Sequence, residues 1–308
     1  MSTDNSNKCT GISNTCANCS KEGSDVNNTC NKCKMVMYCN ASCKKKHRHK
    51  HKKQCEEHQR LAAERAAELH DEALFRHPQL EYEDCPICFI RLPKLDTGSR
   101  YQSCCGKVIC NGCYFANAKR DDNKQKQLCA FCRIPAPTIG EEAVERLKKR
   151  VDGFRDAEAM YNLGSKYFIR DGERALELWH QAGELGCPTA LNNIGYAYES
   201  GRGVQVNKKK AIHYYELSAM QGDITARHNL GYIEEKAGNM DRALQHYVIG
   251  AKSGDTNSLN RIQQMYSNGN ATKDIYTAAL QAYQAYLCEI KSAQRDEAAA
   301  MLEDFKYY

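Results

Sequence analysis

The C-terminal half of the chain carries a repeated pattern of small and aromatic positions. Small residues open four matching segments 31, 36 and 32 residues apart, and each segment has an alanine four positions before an aromatic residue. The segments open at Ala159, Ala190, Ala226 and Ser258, and the aromatic residues are Trp179, Tyr215, Tyr247 and Tyr283. Each unit is predicted to be two helices, with small residues at their crossing and an aromatic filling the gap. One such pair cannot bury its apolar face alone, so four pairs are predicted to stack into an α-solenoid over residues 155–288.

Two other stretches predict helices outside the repeats. Glu57 to Arg76 is rich in Ala, Glu, Leu and Arg, and Pro78 provides a stop. Its apolar side is thin, so we expect a semi-rigid helical spacer over 57–82 rather than a core element. That side consists of Leu61, Ala62, Ala66, Leu69 and Ala73. A charged helix over 289–308 is expected to cap the end of the solenoid.

The first 132 residues are dominated by cysteine. Fifteen of the 18 cysteines and one histidine fall into two arrays of eight. The first array is Cys16, Cys19, Cys30, Cys33, Cys39, Cys43, His51 and Cys55. The second is Cys85, Cys88, Cys104, Cys105, Cys110, Cys113, Cys129 and Cys132. Eight such ligands fill two tetrahedral zinc shells, so we predict four structural zinc ions with no open position for water or substrate.

Composition narrows the class of protein. No apolar run approaches the roughly 18 residues needed to span a membrane. Met1 to Lys8 is polar and lacks the apolar core of a secretion signal. In such a chain, Cys-x2-Cys pairs favour zinc over the alternative, a secreted disulfide framework. We therefore expect a cytoplasmic or nuclear protein without membrane contact, and disorder over the Ser-, Asn- and Thr-rich residues 1–14.

The formal net charge of +6 favours a nucleic-acid partner, but zinc binding would remove this excess of positive charge. Fifteen thiolates and four zinc ions together would bring the formal charge from +6 to about −1. A local basic run remains at Lys44, Lys45, Lys46, Arg48, Lys50, Lys52 and Lys53. It could be a nuclear-import or nucleic-acid patch, or the solvated face of a helix that carries metal ligands. The second interpretation is favoured because metal ligands interrupt the run, and nucleic acid is not an expected partner.

The first array resembles a MYND zinc finger over residues 15–56. His51 and Cys55 lie four residues apart, so a helix would direct both at one metal, although His47 lies one turn earlier. Met37-Tyr38 precedes the fifth cysteine, as in that family. The resemblance implies interleaved sites, with Cys16, Cys19, Cys39 and Cys43 on one zinc and Cys30, Cys33, His51 and Cys55 on the other. It also implies a protein-interaction module, often for proline-containing peptides, although Lys, His and Arg over 45–50 replace the usual aromatic.

The second array resembles a RING finger over residues 83–137. Lys107 stands where that family usually has a histidine ligand, and lysine is a poor zinc ligand at neutral pH. The adjacent Cys104-Cys105 can supply the third and fourth ligands instead, as in all-cysteine variants. The resemblance then implies a cross-brace, with Cys85, Cys88, Cys110 and Cys113 on one zinc and Cys104, Cys105, Cys129 and Cys132 on the other.

The RING resemblance also implies a partner, a ubiquitin-conjugating enzyme bound in a shallow apolar groove. Ile87 and Pro135 match groove contacts of the family, and Arg133 matches the arginine that bridges the enzyme and its loaded ubiquitin. A guanidinium suits that role because its fork of donors reaches two partners at once. Ala130 departs from the family, since many active RING fingers have proline there. The alternatives are a core role for Ile87 and a solvated charge for Arg133.

The helical units resemble Sel-1-like repeats, relatives of tetratricopeptide repeats, which implies a protein-binding scaffold. Glycine follows the apolar residue at Gly164, Gly195 and Gly231, and Gln263 replaces it in the fourth unit. The predicted fold is mostly α, with two small cross-brace zinc modules followed by an α-solenoid of helix-hairpin repeats. The predicted function is a RING-type ubiquitin-protein ligase and adaptor that recruits protein substrates or peptide motifs and uses no catalytic side chain. The alternatives are a non-catalytic zinc-dependent scaffold and, from the basic run alone, a DNA-associated regulator.

Overall fold

The computed structural model describes residues 15–23, 26–76, 83–94, 98–120, 127–137, 140–301 and 305–307. The chain divides into two compact units, Met1–Ala73 and Leu74–Tyr308. The predicted disorder of residues 1–14 lies outside the described residues. Over the described part the fold is mostly helical, as the sequence predicts.

The first unit contains a small sheet and a long helix. Strands β1 (Asn28–Thr29) and β2 (Met37–Tyr38) pair antiparallel, and helix α1 spans Ala41–Phe75. Cys16, Val26 and Tyr38 form its small buried cluster. The second half of α1 is stabilised by exposed ion pairs between Arg60 and Glu64 and between Arg65 and Glu68. The helix of the finger thus continues into the predicted spacer as far as Phe75, as one element of 35 residues. Residues 77–82 of the predicted spacer lie outside the described residues.

The second unit opens with the other cysteine-rich module. Strands β3 (Ser99–Gln102) and β4 (Lys107–Cys110) form an antiparallel hairpin that leads into helix α2 (Asn111–Arg120). Helix α3 (Gly140–Phe154) follows and is an element that the sequence analysis does not predict. Its buried Leu147 packs with Ala159 and Leu163, so α3 covers the start of the repeats.

Four helix pairs make up the repeats. They are α4 (Ala157–Tyr167) with α5 (Gly172–Glu184), α6 (Pro188–Ser200) with α7 (Lys208–Met220), α8 (Ile224–Lys236) with α9 (Met240–Lys252), and α10 (Thr256–Ser267) with α11 (Lys273–Ile290). Side chains accept hydrogen bonds from first-turn amides at most helix starts, for example at Asp156, Asp171 and Asp223. Such caps satisfy amides that the helix itself leaves unpaired, which fixes where each helix begins.

Glycine and an aromatic residue meet inside each of the first three helix pairs. A Cβ added at Gly164 would lie 2.6 Å from Trp179 Nε1, and one at Gly231 would lie 2.6 Å from Tyr247 Cε1. The second pair repeats this arrangement with Gly195 and Tyr215. The predicted crossing of small and aromatic positions is therefore present, and it fixes how closely the two helices of a pair approach.

The C-terminal helix packs on the second cysteine-rich module as well as on α11, the last helix of the repeats. Helix α12 (Ala293–Met301) packs against α2 of the cysteine-rich module. Phe305, just beyond it, makes edge-to-face contacts with Tyr114 and Phe115 of α2. The physical reason is apolar burial: α2 presents an aromatic face that the end of the chain covers.

The second unit begins at Leu74, near the end of α1, and this residue is buried within that unit. Leu74 is buried among Ala211, Tyr215 and residues of the following pair. Arg227, itself 1% exposed, donates from Nη1 to the Leu74 carbonyl at 2.6 Å and from Nη2 to the Ala219 carbonyl at 3.0 Å. A cation between the carbonyl ends of two helices is favourable because those ends carry partial negative charge. The thin apolar side predicted for the spacer therefore omits Leu74, the residue that is most buried.

Replacing Gly231 with alanine tests the helix crossing. The new methyl group would meet the Tyr247 ring, which cannot move freely because its hydroxyl donates to Glu235 at 2.8 Å. We expect a loss of about 1–3 kcal/mol in the free energy of unfolding, from overpacking. Urea denaturation followed by circular dichroism measures it.

Gly153 provides the matched control, because it is also helical but has nothing within 4 Å of an added Cβ. Gly153→Ala should be neutral or add up to about 1 kcal/mol through helix propensity. Equal unfolding midpoints for the two variants would contradict the tight crossing.

Candidate metal centres

All sixteen predicted ligands lie in four compact groups. Within each group the ligand atoms are within 4.8 Å of one another. The groups are Cys16, Cys19, Cys39 and Cys43; Cys30, Cys33, His51 and Cys55; Cys85, Cys88, Cys110 and Cys113; and Cys104, Cys105, Cys129 and Cys132. These are the sets that the two resemblances imply, and each module alternates consecutive pairs between its two groups.

The spacing of the ligand atoms fits zinc. Sulfur–sulfur distances are 3.6 Å for Cys19–Cys39, 3.7 Å for Cys30–Cys55 and 3.8 Å for Cys88–Cys110. A tetrahedral zinc about 2.3 Å from each sulfur requires neighbouring sulfurs to lie about 3.8 Å apart. A disulfide would instead bring two sulfurs to about 2.05 Å. Soft thiolate and imidazole donors are also those that zinc prefers, and four of them leave no open coordination position.

Histidine selection in the first module is decided by packing on α1. His51 is buried, and its Nε2 lies 3.2 Å from Cys33 Sγ. His47, one turn earlier, has its Nδ1 3.2 Å from the Tyr38 hydroxyl, and its ring stacks on that of His51. Burial lowers the pKa of His47, and its ring packs on Tyr38 and His51 beside the site.

Four Cys-x2-Cys loops share one backbone geometry that the sequence analysis misses. The residue after each second cysteine has a left-handed φ between 57° and 60°, at Ser20, Lys34, Phe89 and Arg133. Its amide donates to the carbonyl of the first cysteine, at 2.8 Å for Phe89 and 3.2 Å for Arg133. A left-handed backbone conformation is energetically unfavourable for residues other than glycine. A Cys-x2-Cys pair alone does not signal it, because Tyr114 follows Cys110 and Cys113 but lies within helix α2.

The hairpin of the second module places its adjacent cysteines in one group. Cys105 Sγ lies 3.7 Å from Cys129 Sγ, and Cys104 belongs to the same group. Gly106, with φ of 72°, turns the chain between β3 and β4. Lys107 begins β4 with an exposed side chain, which is consistent with a residue that is not a ligand.

The predicted partner contacts lie on the first and last Cys-x2-Cys loops of this module. Ile87 is 38% exposed, Arg133 is exposed, and Pro135 is half-buried where it bridges to Leu128. Three large apolar side chains that the sequence analysis does not single out are exposed on the same loops: Phe89 at 78%, Phe131 at 39% and Ile134 at 42%. Ile87 is therefore a surface residue, and the two loops together expose four large apolar side chains.

The histidines of the repeats belong to no metal group in the described ranges. His228 resembles part of a catalytic triad, since Asp255 and Ser258 lie 3.4 Å and 3.3 Å from it. Both contacts use the same ring nitrogen, Nδ1, so no proton can pass from serine to aspartate through the ring. His246 is fully buried, and burial, then the charges of Arg227 and Arg242, lower its pKa to about 3.

Comparison with known families identifies two of the modules. Residues 16–55 match the MYND finger family, and residues 157–187 and 188–223 match the Sel1 repeat family. The matched residues end before the second cysteine-rich module and resume after it, so its RING resemblance gains no support there. MYND fingers and Sel1 repeats are protein-interaction modules, and the finger together with the four clusters indicates zinc binding.

Individual relatives match only in part. A sel1-like repeat-containing protein, L21, of Acanthamoeba polyphaga mimivirus is 36% identical over 63 residues, which are 20% of this chain and 12% of that protein. The E3 ubiquitin-protein ligase GW2 of rice is 33% identical over 70 residues, 23% of this chain and 15% of that protein. The E3 ubiquitin-protein ligase DA2 of Arabidopsis thaliana is 29% identical over 93 residues, 30% of this chain and 21% of that protein. The chain thus spans about a fifth or less of each relative.

Two solved structures are similar over about half of the chain. A Sel1 repeat protein from Oxalobacter formigenes has a TM-score of 0.41 and 24% identity, covering 53% of this chain and 70% of that one. The protective antigen c5321 of uropathogenic Escherichia coli, which has an SLR fold, has a TM-score of 0.41 and 26% identity, covering 53% of this chain and 36% of that one. In the part that the structure describes, no helix combines the length and apolar character needed to cross a membrane.

The assignment of Cys104 rather than Lys107 as a ligand can be tested by metal content. We expect Cys104→Ser to lower the zinc content of the purified protein, because one tetrahedral shell then has three protein ligands. Lys107→Ala should retain the wild-type content, because this side chain points to solvent at the start of β4. Inductively coupled plasma mass spectrometry measures both variants, and the reverse pattern would contradict the assignment.

Proposed function

We propose that this chain is an adaptor whose second cysteine-rich module acts as a RING-type ubiquitin-protein ligase. In this proposal, the module binds a loaded ubiquitin-conjugating enzyme, while the MYND finger and the Sel1 repeats recruit protein substrates. The observation that carries the proposal is the alternation of ligand pairs in residues 85–132 between two closed groups, with apolar side chains exposed on the outer loops. Partial similarity to the rice and Arabidopsis proteins GW2 and DA2, both E3 ubiquitin-protein ligases, also supports it.

The proposed docking surface consists of four exposed apolar side chains, Ile87, Phe89, Phe131 and Ile134, together with the half-buried Pro135, the other predicted groove contact. Phe89 is 78% exposed, which is unusual for a phenylalanine in a folded protein without a partner. Covering apolar surface yields about 25 cal/mol per Å², so four such side chains can stabilise a small interface. Closed zinc shells at the base of both loops would keep the surface rigid, and rigidity lowers the entropic cost of association.

Arg133 suits the proposed contact with ubiquitin. Its left-handed backbone at the end of the last Cys-x2-Cys loop is fixed by the hydrogen bond from its amide to the Cys129 carbonyl. The planar guanidinium can donate to carbonyl groups of two partners at once. Bridging of this kind would favour the closed arrangement of enzyme and ubiquitin from which transfer proceeds.

The proposed module would supply no nucleophile or base. Every metal position is closed by protein ligands, and catalysis would instead come from holding the loaded enzyme beside a substrate amine. A non-catalytic scaffold is the alternative. It would have the same zinc groups and interaction modules but no effect on ubiquitin transfer.

Nucleic-acid association remains the third candidate, and one observation bears on it. The basic run lies on the exposed surface of α1, apart from Lys44, whose Nζ donates to the Thr29 carbonyl and to Asn31 Oδ1. Lys44 therefore has a structural role in the finger. A steep dependence of binding on salt concentration would favour this candidate.

Four zinc ions per chain are expected. Metal analysis of the reduced protein, purified without chelator, should return four, because the described residues hold four complete ligand groups. Strong chelation should unfold the two cysteine-rich modules, since metal binding and folding are coupled in such small units. Most of the helical circular-dichroism signal should persist, because the repeats bury their own apolar core. Two ions or fewer would contradict the assignment.

Ligase activity is expected to depend on Ile87 and Arg133 in different ways. Ile87→Ala should weaken docking of the conjugating enzyme by about 1–3 kcal/mol, as for a central contact of a small interface. Arg133→Ala should slow discharge of loaded ubiquitin while leaving docking of the unloaded enzyme nearly unchanged. Single-turnover discharge and binding by isothermal titration separate the two effects.

Ile169→Ala is the matched control, because Ile169 is 87% exposed after α4 and outside the proposed surface. It should behave as wild type. The ligase proposal fails if the wild type is inactive with a full panel of conjugating enzymes, or if both Ile87→Ala and Arg133→Ala discharge ubiquitin at the wild-type rate. The scaffold alternative would then replace it.

A further inference from the structure

Arg295 in the C-terminal helix is a buried cation beside a zinc-ligand group. The side chain is 1% exposed. Its Nη1 donates to the Ile290 carbonyl at 2.6 Å and to the Arg91 carbonyl at 2.8 Å. Its Nη2 donates to the Ile90 carbonyl at 3.1 Å and lies 4.0 Å from Cys88 Sγ. The guanidinium of one helix thus contacts a metal ligand 207 positions earlier in the chain.

These contacts hold the first Cys-x2-Cys loop of the second module. The Ile90 carbonyl accepts from the Cys85 amide at 2.9 Å as well as from Arg295. Arg295 therefore contacts both the backbone of this loop, at the Ile90 and Arg91 carbonyls, and one of its ligand sulfurs, Cys88 Sγ. Its fork of donors is fully engaged at the two terminal nitrogens, and a lysine could not reproduce that pattern.

Residues around Arg295 bring the same helix against other ligands of this group. The side-chain amide of Gln294 lies 3.8 Å from Cys113 Sγ. A zinc-bound cysteine is a thiolate that only accepts, so this amide would present its NH₂ group to the sulfur. A Cβ added at Gly112, beside Cys113, would lie 2.8 Å from the Arg295 amide nitrogen. The start of α12 is therefore in direct contact with the start of α2.

The contact matters because the zinc centre is negatively charged and Arg295 is positively charged. Four thiolates around Zn²⁺ carry a net charge of about −2, and three of these cysteines are almost fully buried: Cys85, Cys110 and Cys113. A buried negative centre is costly unless cations and hydrogen-bond donors compensate it. Arg295 provides a positive charge and a donor at this position.

We propose that Arg295 stabilises the zinc centre formed by Cys85, Cys88, Cys110 and Cys113, so that retention of this ion depends on the C-terminal helix. The module that resembles a RING finger is then not autonomous, because a residue beyond the repeats completes the surroundings of its metal. The proposal requires zinc at this site but not ligase activity. Groups around metal ligands typically change metal affinity by about 10- to 100-fold when removed.

The test compares zinc retention at the two centres of the module in the full chain. Arg295→Met keeps the bulk of the stem and removes the charge and donors. Variant and wild type are incubated with a graded series of chelator concentrations, and the exposed cysteines are alkylated and quantified by peptide mass spectrometry. We expect Cys85, Cys88, Cys110 and Cys113 to become reactive at about 10- to 100-fold less chelator in Arg295→Met. The group of Cys104, Cys105, Cys129 and Cys132 should be unchanged.

Two further variants separate the contact from general stability. Arg295→Lys keeps the charge and loses the fork, so its retention should fall between those of wild type and Arg295→Met. Glu297→Gln removes the exposed ion pair between α12 and Lys119 of α2 without touching a ligand, and it should retain zinc as wild type does. Cys187, buried in the repeats, reports unfolding of the solenoid if it too becomes reactive.

The result that overturns the proposal is equal retention of the first group in Arg295→Met and wild type. Equal loss from both groups, with or without Cys187, also overturns it, because the effect is then global unfolding. Ligase failure is a separate outcome: a protein inactive in ubiquitin transfer could still show the selective loss of one zinc.

Discussion

Metal coordination is the constraint on which the N-terminal third of this protein depends. Among the described residues of the first unit, the buried cluster is Cys16, Val26 and Tyr38, and two further metal ligands, Cys55 and His51, are buried as well. So small an apolar core cannot offset the entropy of ordering about 40 residues. Zinc coordination supplies the missing free energy. It also holds four non-glycine residues in left-handed conformations that the backbone would otherwise avoid.

The repeats follow a different rule. Their stability comes from apolar stacking between neighbouring helix pairs, with Trp179, Tyr215 and Tyr247 placed against glycines of the partner helix. The second cysteine-rich module is joined to this solenoid at both ends. Tyr101 of β3 donates to Asp156 at 2.7 Å, and Asp156 also caps α4 and pairs with Arg150. At the other end, the Lys94 amide donates to the Tyr286 hydroxyl of α11 at 3.0 Å. Beyond the repeats, Arg295 and Phe305 cover the module's first loop and its helix.

This arrangement bears on the proposed function. If the second module binds a conjugating enzyme and the solenoid recruits the substrate, the two would be rigidly connected, because hydrogen bonds and buried side chains join them within one compact unit. Rigid connection favours transfer to residues at a defined distance from the loaded enzyme. Within the same unit, the buried Arg227 also holds its first residue, Leu74, through the Leu74 carbonyl.

The sequence by itself determined the ligands and the repeats. Tetrahedral zinc sites require Cys and His at short, regular spacings, and the stacked helices require a small residue opposite an aromatic one. Both patterns can therefore be recognised from residues that are close together in the sequence. The packing on Tyr38 decided between His47 and His51, which spacing alone could only suggest. Helix α3, the burial of Leu74 and the place of α12 depended on the tertiary structure. Each results from contacts between residues far apart in the chain, as between Arg295 and Cys88. A local sequence pattern does not predict which distant surface a charged helix will pack against.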